Sequence, residues 1–157
     1  MILFNSKKGI DFWFISLIFF FGIKLSTSLL ITKFFGLDLN NTVIDNISNK
    51  YFTFLLSILI APVIETFILF KLVLMGFDYL EQLKLIGSHK LYLFMLTSSL
   101  LFSINHCFNI SYLINGFVSG ILYSFIYYKS YISKNYPFIG TALIHSLYNL
   151  FVFYWKF

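Results

Sequence analysis

Charge is scarce in this chain, and arginine is absent altogether. Only 11% of the 157 residues are charged. A soluble domain carries about a quarter, so this chain has too little charge to hydrate the surface of a soluble fold. Hydrophobic residues make up 59% of the sequence, and the mean hydropathy is +0.86. Lipid must therefore solvate much of the surface, and the composition indicates an integral membrane protein.

Other features that the sequence lacks narrow the class of protein further. The single cysteine, Cys107, excludes an internal disulfide. No internal repeat and no Pro- or Ser-rich linker divides the chain, so residues 1–157 are interpreted as a single membrane domain. The first apolar run lacks a small-residue cleavage site, which favours a retained span over a signal peptide. The lack of arginine beside abundant Phe, Ile, Asn, Tyr and Lys indicates an AT-rich bacterial coding bias, so we expect a bacterial plasma membrane.

Long apolar runs predict the fold. A helix needs about 20 apolar residues to cross the hydrocarbon core of a bilayer. Five runs approach this length, at about Ile10 to Thr32, Tyr51 to Met75, Leu91 to Phe108, Tyr112 to Tyr128 and Phe138 to Trp155. The longest polar connectors are Leu37 to Lys50 and Gly76 to Lys90. The expected fold is all-α, a polytopic transmembrane helix bundle of about five spans. Gly116, Ser119 and Gly120 give the fourth span a small-residue face suited to close helix packing.

Four polar residues inside these spans are candidates for function: Glu65, His106, His145 and Asn149. A central charge costs about 2.5 to 3.5 kcal/mol on insertion scales, so their presence needs a reason. His145 and Asn149 are four residues apart and share one helix face. With these span boundaries and a rise of about 1.5 Å per residue, Glu65 and His145 fall in the inner half of the bilayer. His106 falls nearer the outer face.

Each of these residues also has a structural interpretation. A single buried histidine is more often a hydrogen-bonding residue than a catalyst. Glu65 could cap backbone groups freed by Pro62 or pair with Lys71, and Asn149 could simply join two helices. The joint occurrence of one acid, two histidines and one amide on three helices favours a shared site.

Two chemistries suit that set. In the first, the Glu65 carboxylate and a nearby histidine act as a general base toward water, while the second histidine and the Asn149 amide donate hydrogen bonds to the oxyanion. In the second, Glu65, His106 and His145 bind zinc and leave a position open for water. The sequence lacks the HExxH zinc motif, and asparagine is a poor zinc ligand. We therefore favour the metal-free chemistry and expect no cofactor.

Three short motifs resemble a known family. The run Ala61-Pro62-Val63-Ile64-Glu65-Thr66-Phe67-Ile68, then Phe102-Ser103-Ile104-Asn105-His106 and His145-Ser146-Leu147-Tyr148-Asn149 follow one another in separate spans. This order is similar to that of the CAAX-protease and bacteriocin-processing family of intramembrane proteases, which includes type II CAAX prenyl endopeptidases and proteins like lysostaphin resistance protein A. The resemblance covers a core of about residues 51–157.

The resemblance implies an intramembrane endopeptidase that hydrolyses a peptide bond in a membrane-associated peptide or lipid-anchored protein. Bacterial relatives are associated with bacteriocin maturation, pheromone processing and self-immunity. By motif position, Glu65 and His106 would activate water, and His145 and Asn149 would form the oxyanion hole. The sequence departs from the usual first motif in two places. Thr66 stands where a second Glu is usual, and Phe70 stands where an Arg is usual; Lys71, one residue further, lies on another face.

Two other functions compete with the protease. A non-catalytic immunity or scaffold protein could keep the family fold and bind a bacteriocin target or another partner. A small transporter or proton relay would also explain buried Glu and His, although the absence of an inverted repeat argues against it. The lysines stand singly at the ends of apolar runs, which suits anionic lipid headgroups and not nucleic acid.

The lysine distribution predicts the orientation. Six lysines lie in the N-terminal tail and in the second and fourth connectors, and three lie on the opposite side. Lysine-rich segments stay cytoplasmic, so we expect a cytoplasmic N-terminus. Reporter fusions after Lys8 and after Glu81 should both report the cytoplasm, and a fusion at Asn41 should report the outside. A cytoplasmic signal at Asn41 would reverse the assignment.

Overall fold

A computed structural model describes residues 6–35 and 50–156 of the protein. The prediction of an all-α fold is confirmed, because the described residues form helices and contain no strand. The predicted Asn-rich connector, at residues 37–49, and the fusion position Asn41 lie outside the described residues.

Five helical segments follow one another along the chain: α1 (Ser6–Phe35), α2 (residues 50–82), α3 (Lys90–Asn105), α4 (Ile110–Ile132) and α5 (Pro137–Lys156). Four of them contain stretches long and apolar enough to cross a membrane: Asp11–Ile31, Tyr51–Gln82, Ile110–Ile132 and Pro137–Tyr154. At 16 residues, or about 24 Å, α3 is shorter than a hydrocarbon core of about 30 Å. The third predicted span is therefore shorter than expected, since its helix ends at Asn105. The chain is a polytopic membrane helix bundle.

Helix α2 alternates between two kinds of helical turn. The segments Lys50–Leu55, Ala61–Glu65 and Val73–Gln82 are α-helical, while Leu56–Ile60 and Thr66–Leu72 form wider π-helical turns. Pro62 lies in the first turn of the middle segment, and its nitrogen has no hydrogen for the helix ladder. Turns of the π type are rare and frequently lie at functional sites. Glu65 stands between the two π-helical stretches.

The length of α2 removes the difference in depth expected between Glu65 and His106. The helix continues to Gln82, beyond the predicted end at Met75. Glu65 is thus 17 residues before the end of α2, and His106 is 16 residues after the start of α3 at Lys90. Because a short connector joins these two ends, both residues lie about 25 Å from the same side of the bundle.

Aromatic residues fill the interior. Phe20, Phe70, Phe102 and Tyr123 are all almost fully buried. Phe20 stacks on Tyr123 with 4.5 Å between ring centroids, and Phe70 lies 6.1 Å from Phe102. Many large apolar side chains face outward instead, including Phe14, Leu96 and Leu143, and each is more than half exposed. An outer surface of this kind suits lipid and not water.

Helices α3 and α4 make the most extensive contact among the described elements. Two glycines of α4 allow it, as their spacing predicts. A Cβ atom on Gly120 would lie 2.5 Å from the Cα atom of Ser99, and one on Gly116 would lie 3.1 Å from the Cα atom of Ser103. The Ser103 hydroxyl donates to the Leu113 carbonyl at 2.6 Å across the same contact.

A buried lysine joins α1 to α4 and α5. Lys24 is 2% exposed. Its ammonium donates to the side chain of Asn115, to the Asn115 carbonyl at 3.2 Å and to the Ser119 hydroxyl at 2.7 Å. The Tyr148 ring lies 5.3 Å from the same nitrogen. These contacts use all three ammonium hydrogens, which is what an ammonium held away from water requires.

A polar cluster closes one end of the bundle. Lys90, at the start of α3, pairs with Asp78 and with Glu81 near the end of α2, the latter at 2.7 Å. The Tyr131 hydroxyl of α4 donates to the other Asp78 carboxylate oxygen at 2.9 Å. The ends of three helices are thereby tied together where water is available.

The close contact between α3 and α4 leads to a test with a matched control. Gly120→Ala should lower the melting temperature in detergent, because the added methyl group meets the Ser99 backbone. Gly76→Ala makes the same chemical change in α2, where a Cβ atom meets nothing within 4 Å. That control should stabilise the helix by about 0.5–1 kcal/mol. Equal effects of the two substitutions would contradict the packing role of Gly120.

Candidate active site

Three side chains from three helices meet in the bundle. Glu65 of α2 lies between His106, which directly follows α3, and His145 of α5. The Glu65 Oε1 atom is 3.8 Å from the His106 Nε2 atom, and Oε2 is 3.6 Å from the His145 Nε2 atom. Glu65 is paired with these groups and not with Lys71, whose exposed side chain contacts the Phe67 and Phe138 rings.

Helix α3 ends at Asn105, and the next residue, His106, lies in the site. The His106 Nδ1 atom is 2.9 Å from the Phe102 carbonyl oxygen, and its ring stacks on the Phe102 ring at 4.4 Å. A carbonyl oxygen only accepts hydrogen bonds, so Nδ1 must carry the hydrogen. In the neutral ring Nε2 then presents a lone pair toward the Glu65 carboxylate. Two acceptors 3.8 Å apart leave room for a donor between them, and a water molecule suits this position.

His145 is held in an aromatic slot. It is 3% exposed. The Tyr123 ring lies 4.6 Å from its ring centroid on one side, and the Phe102 ring lies at 5.5 Å. Its Nδ1 atom and the Glu65 Oε2 atom are both buried without a hydrogen-bond partner. Such groups are rare in folded proteins and need an explanation, such as a catalytic role.

Asn149 has its own partner on α2. Its side-chain amide donates to the Ser57 carbonyl at 2.8 Å. The carbonyl of the preceding residue, Leu56, accepts a hydrogen bond from the amide of Ala61, five residues later, as in a π-helix. In the same pattern the Ser57 carbonyl would accept from the nitrogen of Pro62, which has no hydrogen to donate. Asn149 therefore satisfies a backbone acceptor that the proline leaves free, and its amide keeps a second hydrogen.

The two departures from the usual first motif are buried in the core. Thr66 is fully buried, and its hydroxyl has no hydrogen-bond partner. Phe70 is also fully buried, and it stacks on Phe102 and on Tyr127. Phe70 thus contributes to the aromatic layer that supports both histidines.

Two contacts of the site region are missing from the sequence interpretation. Asn105 donates from its side-chain amide to Glu65 Oε1 at 3.1 Å. Lys24, which interrupts the first apolar run, is docked against α4 and α5. The sequence carries a signal for both residues, because Asn105 directly precedes His106 and Lys24 is an ionisable residue within a predicted span.

The described residues contain no group of three or more His, Cys, Asp or Glu side chains that could hold a metal ion. Glu65, His106 and His145 are also the three side chains on which the alternative zinc chemistry would depend. The three side chains converge with nitrogen atoms facing carboxylate oxygens, and this geometry suits proton transfer.

Comparison with known proteins identifies the family. Residues 47–151 match the family described as Type II CAAX prenyl endopeptidase Rce1-like. This range contains Glu65, His106, His145 and Asn149, whereas α1 lies outside it. No curated protein and no solved structure matches the chain. Two thirds of the chain therefore follow the family pattern, and the protein belongs to the Rce1-like family of type II CAAX prenyl endopeptidases.

Proposed function

We propose that this protein is an intramembrane endopeptidase in which Glu65 and His106 activate a water molecule for hydrolysis of a peptide bond. One observation carries the proposal. The unprotonated Nε2 atom of His106 and the Glu65 carboxylate face each other at 3.8 Å. Water can donate one hydrogen bond to each of these acceptors, and its oxygen then faces outward as the nucleophile.

The proposed reaction follows from these positions. As the water oxygen attacks the carbonyl carbon of the substrate, Glu65 takes one water proton. The tetrahedral intermediate carries a negative oxygen, which needs hydrogen-bond donors. The proposed donors are His145 and Asn149, whose amide has one hydrogen beyond the Ser57 contact. The C–N bond then breaks, and the proton on Glu65 passes to the leaving amine.

The substrate class follows from the family and the surroundings. Type II CAAX prenyl endopeptidases act on prenylated proteins, so the proposed substrate is a prenylated or otherwise membrane-associated peptide or protein. The site is surrounded by membrane-spanning helices, and a lipid-anchored chain would arrive within the same bilayer. We place the protein in a bacterial plasma membrane with its N-terminus in the cytoplasm. A role in bacteriocin or pheromone processing, or in self-immunity, is consistent with this placement.

A non-catalytic immunity or scaffold protein is the second candidate. The observation that favours it is Phe70, which occupies the usual Arg position as a buried ring. A protein of this type would keep the bundle and would not depend on the Glu65 carboxylate as a base.

Glu65→Gln separates the two candidates. The amide keeps the size of the side chain and removes the base, so cleavage should fall by about 10² or more. The melting temperature should hold or rise, because a buried carboxylate is costly to keep. The measurement is release of the terminal tripeptide from a farnesylated CAAX peptide by the purified protein. A comparison of the membrane peptides of wild-type and Glu65→Gln strains would reveal native substrates.

Glu81→Gln is the matched control for this experiment. Glu81 lies near the end of α2, where it pairs with Lys90, and the control should cleave at the wild-type rate. A Glu65→Gln protein that cleaves as fast as the wild type would show that the base is misassigned. Retained immunity together with absent cleavage in the wild type would favour the scaffold.

Metal dependence is the second test. If Glu65 and His106 activate water without a cation, the purified protein should contain less than stoichiometric zinc by elemental analysis. Cleavage should also persist after dialysis against a chelator. The opposite outcome is stoichiometric zinc whose removal abolishes activity and whose addition restores it. That result would show that a metal-bound water, and not the general base, carries out the hydrolysis.

A further inference from the structure

The last residue of α3 contacts the proposed base directly. Asn105 donates a hydrogen bond from its side-chain Nδ2 atom to Glu65 Oε1 at 3.1 Å. No motif of the sequence assigns it a role. Its side chain is exposed at the bundle surface, whereas the carboxylate that it contacts is largely buried.

The contact makes the two carboxylate oxygens different. Oε1 receives the Asn105 hydrogen bond and faces His106 Nε2. Oε2 is buried without a hydrogen-bond partner and faces His145 Nε2. A carboxylate oxygen can accept two hydrogen bonds. Asn105 occupies one acceptor direction of Oε1, and the other remains for the water molecule held by His106.

A neutral donor suits this position better than a charged one. A lysine or arginine would form an ion pair with the carboxylate. Its positive charge would then compete with the water proton for the carboxylate oxygen. The Asn105 amide orients the carboxylate and leaves its charge available. The neighbouring residue is His106, so one short segment fixes both groups that contact Oε1.

The backbone after α3 is held firmly enough to do this. The His106 amide donates to the Ser103 carbonyl at 3.1 Å, and the Cys107 amide donates to the Ile104 carbonyl at 3.2 Å. Asn109 then caps α4, because its side chain accepts from the Tyr112 amide at 2.9 Å. The turn that carries Asn105 and His106 is thus bonded at both ends.

We propose that Asn105 is a positioning residue that holds Glu65 Oε1 against the water molecule bound by His106. This inference rests on the proposed function, since it assigns Asn105 a role in the same reaction. Removing the amide should leave substrate binding intact and allow the carboxylate to rotate away from the water. Small misplacements of catalytic groups cost about 10²-fold in rate.

The test compares Asn105→Ala and Asn105→Asp in the purified full-length protein, with release of the tripeptide from a farnesylated CAAX peptide as the assay. Asn105→Ala should lower kcat by about 10- to 100-fold, while KM changes by less than about twofold. Asn105→Asp has the same shape but faces Glu65 with a second carboxylate, so kcat should fall at least as far. Asn105→Asp adds a charge, which is costlier than an amide at membrane depth, so its melting temperature is measured as well; Asn105→Ala should keep a melting temperature close to that of the wild type, because the side chain is exposed.

Asn109→Asp is the matched control. It makes the same substitution four residues away, and aspartate caps a helix about as well as asparagine, so both kcat and KM should be unchanged. A wild-type kcat for Asn105→Asp would overturn the positioning role, since a residue that only fills space tolerates its isostere.

The Glu65→Gln background separates this inference from the proposed function. There Asn105→Ala should cause no further loss, because the two residues act as one unit. If Glu65→Gln abolishes cleavage while both Asn105 variants keep wild-type kcat, the inference fails and the proposed function stands. If Glu65→Gln cleaves normally, the proposed function itself fails.

Discussion

Hydrocarbon offers no hydrogen bonds, so a polar group that the chain carries into the bilayer is costly unless another part of the chain bonds to it. In this bundle three asparagines provide such hydrogen bonds. Asn105 of α3 donates to Glu65 of α2, Asn115 of α4 accepts from Lys24 of α1, and Asn149 of α5 donates to the Ser57 carbonyl of α2. A neutral amide can donate and accept, and it is less costly to insert than a second charge.

The apolar runs predict the helices well, because their length is set by the thickness of the bilayer. The polar exceptions also identify Glu65, His106 and His145, since an ionisable residue in a span needs a reason. The sequence does not show which face each helix turns to its neighbours, because lipid-facing and core-facing positions are both apolar here. The partners of Asn105 and Lys24 depend on those faces. The π-helical turns of α2, which set the direction of Glu65, depend on packing across helices as well.

Aromatic rings support the histidines in place of polar partners. Phe70 of α2 stacks on Phe102 of α3, and Phe102 in turn contacts both His106 and His145. Rings fix the planes of the two imidazoles without competing for their hydrogens. The Phe102 carbonyl then selects the hydrogen position on His106. One residue thus sets both the orientation and the tautomer of the proposed base partner.

Lys24 has a consequence for the order in which the protein is made. Its hydrogen-bond partner Asn115 follows 91 residues later in the chain, and α1 lies outside the family-matched residues 47–151. When α1 leaves the ribosome, its ammonium has no α4 to bind. Until the fourth helix has been synthesised, the Lys24 ammonium lacks the α4 partners that it has in the folded bundle.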